Sequence, residues 1–117
     1  MKIVDRQTFL AMPNGTVYQK VELGSFGVFG PVVIKRDTIG GPDPVDWWYS
    51  EFGPDAGEDS NQWVDQIDAL KKGDAVAGEW AEERDGLYEK YDHFLVWDVD
   101  DVRLFWEAIT FTEVESA

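Results

Sequence analysis

The chain predicts an α+β fold: a mainly antiparallel sheet of three to five strands with two or three helices packed on it. Three observations lead there. Short segments rich in β-branched and aromatic residues alternate with Gly- and Pro-rich connections. Two later segments carry apolar residues at helical spacing. Both have wide apolar sides that need a sheet to bury against. The 117 residues suit one domain with a single core, spanning 1–117, with a frayed tail over 113–117.

Asp5 to Met12 reads as a short helix capped by Asp5, with Phe9, Leu10 and Met12 as its apolar side and Pro13 as its stop. Pro13-Asn14-Gly15 is a turn. Thr16 to Leu23 is strand-like, and Gly24, Gly27 and Gly30 punctuate a flexible or bulged connection. Pro31 to Lys35 reads as a short buried strand that begins at its proline. Thr38 to Pro44, with two glycines and two prolines, reads as irregular. Val45 to Phe52 is a third strand, and Gly53 to Asp59 an acidic loop.

A helix then opens at Asp59 or Ser60, with Trp63, Val64, Ile67 and Leu70 as its stripe and Gly73 as its C-terminal stop. Residues 74–92 fit helix and non-helix equally: Ala75 to Glu83 has helical composition, while Gly78 and Asp85-Gly86 oppose it. His93 to Trp97 is a fourth strand. Asp98 to Asp101 opens a last helix carrying Val102, Phe105, Trp106 and Ile109.

Charge is unevenly distributed along this scaffold. Of the 24 acids, 22 follow Arg36, and the whole chain carries −14. Residues 1–36 hold five bases and two acids; residues 37–117 hold five bases and 22 acids. Gathering so many like charges on a small surface costs stability. An aromatic content of 15% excludes a solvated acidic coil. The acids therefore either keep a folded protein dispersed or meet a positively charged partner. Nucleic acid and anionic membrane are both repelled, so neither is an expected direct partner. A chain with no Cys has no disulfide or thiolate site, and one His excludes multi-His metal centres. No apolar segment approaches a bilayer span, and the opening residues lack a signal-peptide core, so the expected location is cytoplasmic.

Trp47-Trp48 poses a geometric problem, because neighbours on a strand point to opposite faces. Either both are covered, or one is exposed beside Asp46 and Glu51 as an interface anchor. Same-face strand residues are about 6.6 Å apart and i, i+4 helix residues about 6 Å apart, near the phosphate repeat along a nucleic-acid strand. A folded acidic face can thus occupy a nucleic-acid groove. The candidate contact residues are Asp43, Asp46, Trp47, Trp48, Tyr49, Glu51, Asp55, Glu58, Glu79, Glu82, Glu83 and Asp85. Catalytic residues, metal ligands and cofactors are not expected.

The string Phe94-Leu95-Val96-Trp97-Asp98-Val99-Asp100 resembles the first motif of haloacid-dehalogenase-type phosphatases, where one Asp attacks phosphate beside Mg²⁺ and the second acts as acid/base. That family places the motif early in a doubly wound domain. Here 16 residues follow Asp101, with no Lys among them. Helix capping by Asp98, Asp100 and Asp101 is the favoured reading.

Thr8-Phe9-Leu10-Ala11-Met12-Pro13-Asn14-Gly15-Thr16-Val17-Tyr18, followed by Val33-Ile34-Lys35, resembles an uncharacterised group of small bacteriophage proteins. Arg84-Asp85-Gly86-Leu87-Tyr88 and the closing Val96 to Val102 segment fit the same pattern. The resemblance implies a phage product acting in bacterial host cytoplasm. In charge and size the chain is similar to anti-CRISPR and anti-restriction proteins that mimic DNA. The expected function is an inhibitor that binds a positively charged host protein or nucleoprotein complex. The alternatives are a structural or adaptor phage protein and a small carboxylate-metal protein centred on Asp98, Asp100 and Asp101.

Overall fold

In the computed structural model, residues 1–24, 27–41, 46–85 and 93–116 are described, with side chains through Thr110 in the last helix. They form β1 (Lys2–Asp5), α1 (Arg6–Leu10), β2 (Val17–Glu22), β3 (Val28–Phe29), β4 (Val33–Ile39), β5 (Asp46–Pro54), α2 (Ser60–Lys71), β6 (Gly78–Arg84), β7 (His93–Val96) and α3 (Val99–Ser116). The strands make one seven-stranded antiparallel sheet in the order β1-β7-β2-β4-β5-β6, with β3 beside β2. The class is the expected α+β, and the strand count exceeds the expected three to five.

The additional strands have local causes. β1 uses Ile3-Val4 ahead of the Asp5 cap and pairs with β7, some 90 residues later in sequence. β3 occupies the Gly-punctuated connection, and Gly30 N–H donates to Lys20 O at 2.8 Å, so the pairing with β2 continues up to Pro31. β4 starts at Val33, two residues beyond Pro31, and runs through Ile39. A bulge between Lys35 and Thr38 sets two β4 residues, Arg36 and Asp37, against one β5 residue, Trp48. It turns Lys35 and Thr38 to one face, where Lys35 Nζ donates to Thr38 Oγ1 at 2.6 Å. The chain reverses afterwards, with Gly40 at φ 118° and Gly41 at φ 58°. β5 likewise extends into the expected acidic loop, to Pro54.

The core lies on one face of the sheet under α1. Asp5 caps this five-residue helix by accepting from Thr8 N–H at 2.8 Å. Phe9 and Leu10 then point into the sheet. Phe9 stacks on Phe94 at 4.1 Å and meets Tyr18 at 4.5 Å and Trp47 edge-on at 5.1 Å. Val33, Val96 and Leu10 close the cluster. Trp47 Nε1 donates to the Tyr18 hydroxyl at 2.8 Å, giving the buried indole its partner. Burial pushes the Tyr18 phenol well above its ordinary range, so it remains a neutral acceptor at physiological pH.

The larger helices behave differently from expectation. Asp59 caps α2, which starts at Ser60, one of the two expected starts, and Gly73 with φ 87° ends it as expected. Yet no α2 residue is buried, and Trp63, Val64 and Leu70 are exposed. The apolar stripe of α3 is exposed as well. α1, not the two long helices, covers the core. α3 continues to Ser116, through most of the expected frayed tail.

Phe9→Ala should cost about 3–5 kcal/mol, the typical loss for a buried phenylalanine. Urea unfolding followed by tryptophan fluorescence checks this, since Phe9 touches Trp47.

Candidate functional site

β5 and β6 make the acidic part of the sheet, and β6 forms its outer edge. Their register pairs Trp48 with Arg84, Tyr49 with Glu83, Ser50 with Glu82, Glu51 with Ala81 and Phe52 with Trp80. Paired residues share a face. Tyr49, Glu51, Glu79 and Glu83 therefore lie on the core side of the sheet, beyond the area covered by α1. Trp48, Phe52, Trp80, Glu82 and Arg84 lie on the reverse side.

Strand alternation resolves the tryptophan pair. Trp47 is completely buried in the aromatic cluster, and Trp48 is exposed. On the reverse face Phe52 and Trp80 are 63% and 57% exposed, with ring centroids 5.3 Å apart in an edge-to-face contact. Gly78 makes this placement possible. A Cβ there would lie 2.7 Å from Phe52 Cζ, so the glycine leaves room for the ring.

Of the acids on these strands, Glu82 shares the face of this pair, and Glu51, Glu79 and Glu83 lie on the opposite one. Glu79, Glu82 and Glu83 are exposed, and Glu51 and Asp55 are half-buried. Glu83 accepts from the Tyr49 hydroxyl at 3.0 Å, and Glu79 accepts from Ala56 N–H at 3.3 Å. Asp55 accepts from Gly57 N–H at 2.8 Å, while exposed Glu58 has its own N–H bonded to Gln62 Oε1. Trp48, Tyr49, Glu51, Asp55, Glu58, Glu79, Glu82 and Glu83 thus belong to one continuous region.

Three candidate contacts are corrected. Trp47 is core. Asp46 is buried, accepts from Trp47 N–H at 2.8 Å and binds the Arg84 guanidinium. Asp85 is buried and paired with Lys20 Nζ at 2.6 Å. These two carboxylates fix the end of β6 to the sheet and are not available to a partner. Asp43 lies outside the described residues. Phe52, Trp80, Lys20 and Arg84 complete the region and were not among the candidates. The signal for Phe52 and Trp80 was faint: β6 reads Gly-Glu-Trp-Ala-Glu-Glu-Arg, with no apolar alternation because neither of its faces is buried.

The Asp-x-Asp string caps a helix. Asp98 Oδ1 accepts from Asp101 N–H, and Asp101 Oδ2 accepts from Asp98 N–H, both at 3.0 Å. Asp101 Oδ2 also binds the Met1 ammonium at 2.7 Å. Asp100 faces outward, 3.4 Å from Arg103. Among the described residues, no three His, Cys, Asp or Glu side chains converge as a metal-binding group. No described helix is long and apolar enough to cross a membrane.

No family model, curated protein or solved structure matches the chain. The site therefore has to be read from its own geometry.

Two expected outcomes follow from the ion pairs. Lys20→Met strands the buried Asp85 carboxylate, whose Oδ2 has no hydrogen-bond partner among the described residues. It should cost about 3–5 kcal/mol in urea unfolding, and adding Asp85→Asn should recover part of that. The hydrogen bond from the Met1 ammonium is the leading cause that holds the Asp101 carboxyl below its ordinary 3.8. Its contribution is present above pH 3.8 and is lost as pH falls through the lower folded-state value. The amine is raised above 8.0, chiefly by Asp101, so its contribution is present below pH 8.0 and is lost as pH rises through the folded-state value. In an NMR titration, acetylating Met1 should move the Asp101 midpoint up toward 3.8.

Proposed function

We propose that the chain is a phage-encoded inhibitor that occupies the nucleic-acid-binding surface of a host defence protein, in the manner of DNA-mimicking anti-CRISPR or anti-restriction proteins. The observation that carries this reading is the exposed Phe52–Trp80 pair at a sheet edge bordered by Glu79, Glu82 and Glu83. Exposed aromatic side chains supply short-range contact, and the surrounding carboxylates supply long-range attraction to Lys and Arg.

The geometry suits a groove built for phosphate. Successive same-face positions on β6 are about 6.6 Å apart, so Glu79 and Glu83 stand about 13 Å apart on one face with Glu82 on the other. Acids on both faces let an inserted edge be contacted from two sides. The net charge of −14 would speed the approach to a basic protein and repel nucleic acid itself. The sequence resemblance to small phage proteins adds the setting, a bacterial host cytoplasm.

Affinity capture from bacterial lysate at about 0.1 M and about 0.5 M salt tests this reading, because exposed charge pairs are screened at the higher value. The expected result is recovery of a nucleic-acid-handling protein at low salt and its loss at high salt. Trp80→Ala, or Glu79, Glu82 and Glu83 changed together to Gln, should weaken capture at least tenfold, about 1.4 kcal/mol. Equal capture at both salt concentrations would refute the electrostatic reading.

A further inference from the structure

A small hollow opens on the core side of the sheet, beside the aromatic cluster. Its walls are Tyr18 and Lys20 of β2, Val33 of β4, Tyr49 and Glu51 of β5, and Pro31. The register explains this gathering. Val33 pairs with Tyr18 and Lys35 with Tyr49, so alternate residues of three adjacent strands share one face. Gly30 N–H donates to Lys20 O at 2.8 Å, which keeps Pro31 beside Lys20. The hollow measures about 130 Å³, room for about four waters. That is the scale of one side-chain end and too small for a nucleotide.

Charge around the hollow is unequal. The Lys20 ammonium is already engaged, 2.6 Å from the buried Asp85 carboxylate. Asp85 Oδ2 is buried and has no hydrogen-bond partner among the described residues. Tyr49 donates its hydroxyl to Glu83 at 3.0 Å. Half-buried Glu51 makes no hydrogen bond or ion pair among the described residues. One ammonium thus faces three carboxylates. Burial raises the Tyr18 and Tyr49 phenols above their ordinary range, and Glu83, Glu51 and Asp85 raise Tyr49 further. Acids that oppose a phenolate there favour a cation.

We infer that this hollow is the socket for one arginine side chain of the basic partner; the inference rests on the inhibitory reading above and places one contact within it. The walls select that occupant. Glu51 offers a guanidinium an unpaired carboxylate. Two phenol rings suit a planar, weakly hydrated cation. Pro31 and Val33 give its methylene stem an apolar wall. A metal ion does not fit, because no three carboxylate or imidazole ligands converge among the described residues. An anion would meet Glu51 and the acids beyond it. Tyr49 also joins the socket to the acidic edge, lining the hollow while its hydroxyl holds Glu83.

A small probe tests the socket without any host protein. Trp47 Nε1 donates to the hydroxyl of Tyr18, a wall of the hollow, so occupancy should move the Trp47 indole N–H resonance. Titration with N-acetyl-arginine amide at constant ionic strength should saturate that shift with a Kd on the order of 1 mM. N-acetyl-citrulline amide, of the same shape without the charge, should bind about tenfold more weakly. Glu51→Gln should weaken the arginine probe about tenfold. Glu107→Gln, which removes an equal charge from the exposed side of α3, should leave the Kd within about twofold.

An unchanged indole N–H spectrum of free Glu51→Gln shows that the variant is folded. A Trp47 signal that stays still, equal binding of the citrulline probe, or an unaltered Kd in Glu51→Gln overturns the inference. Lysate capture separates this outcome from the wider reading. A chain that binds the arginine probe and captures no host protein keeps the socket and sinks the inhibitor. Salt-sensitive capture by Glu51→Gln at wild-type strength sinks the socket alone.

Discussion

Phe9 is the residue on which the fold closes. Among the described residues one side of the sheet carries the sealed core, and the seal is a helix of five residues. That helix is too short to be stable alone and depends on what it buries. Phe9 contacts Tyr18, Trp47 and Phe94 together, and these sit on β2, β5 and β7. One side chain therefore joins strands from the beginning, middle and end of the chain. Burial of a phenylalanine contributes about 1.5–3 kcal/mol, and the ring contacts add to that.

The buried charges serve the same architecture. Lys20–Asp85 and Arg84–Asp46 each join a basic residue to an acid far away in sequence, and both pairs act at the Arg84-Asp85 end of β6. Removing water from such groups is unfavourable, so their value lies in fixing geometry more than in raising stability. They hold in register an edge strand that has no buried side chain before Asp85. Two of the acids are consumed in this way, while Glu79, Glu82 and Glu83 remain on the surface.

Local signals were the legible ones. Asp5 and Asp98 cap α1 and α3, and Gly73 ends α2, as read from capping chemistry; Asp59, read as one of two possible helix starts, is the cap of α2. The division of labour between Trp47 and Trp48 follows from strand period alone. Long-range pairing was not legible. β1 and β3 are four and two residues long, and their strand character depends on β7 and β2, which no local pattern announces. β6 was ambiguous because a strand exposed on both faces has no reason to alternate. At the candidate site, the pattern located the region but could not separate Asp46 and Asp85, which are internal ion-pair members, from the glutamates beside them. The amphipathic faces of α2 and α3 were read correctly as faces; what they cover was not contained in the periodicity.

The position of β7 has a consequence for how the chain is born. β7 lies between β1 and β2, yet it comes after β6 in sequence. At a ribosomal rate of about 5–20 residues per second, β1 and one edge of β2 wait several seconds for the strand that joins them. During that interval Ile3, Val4 and the β2 backbone have no neighbour on that side. A nascent chain halted before His93 would keep two open strand edges and lack Phe94, so residues 93–96 decide whether β1 and β2 are joined.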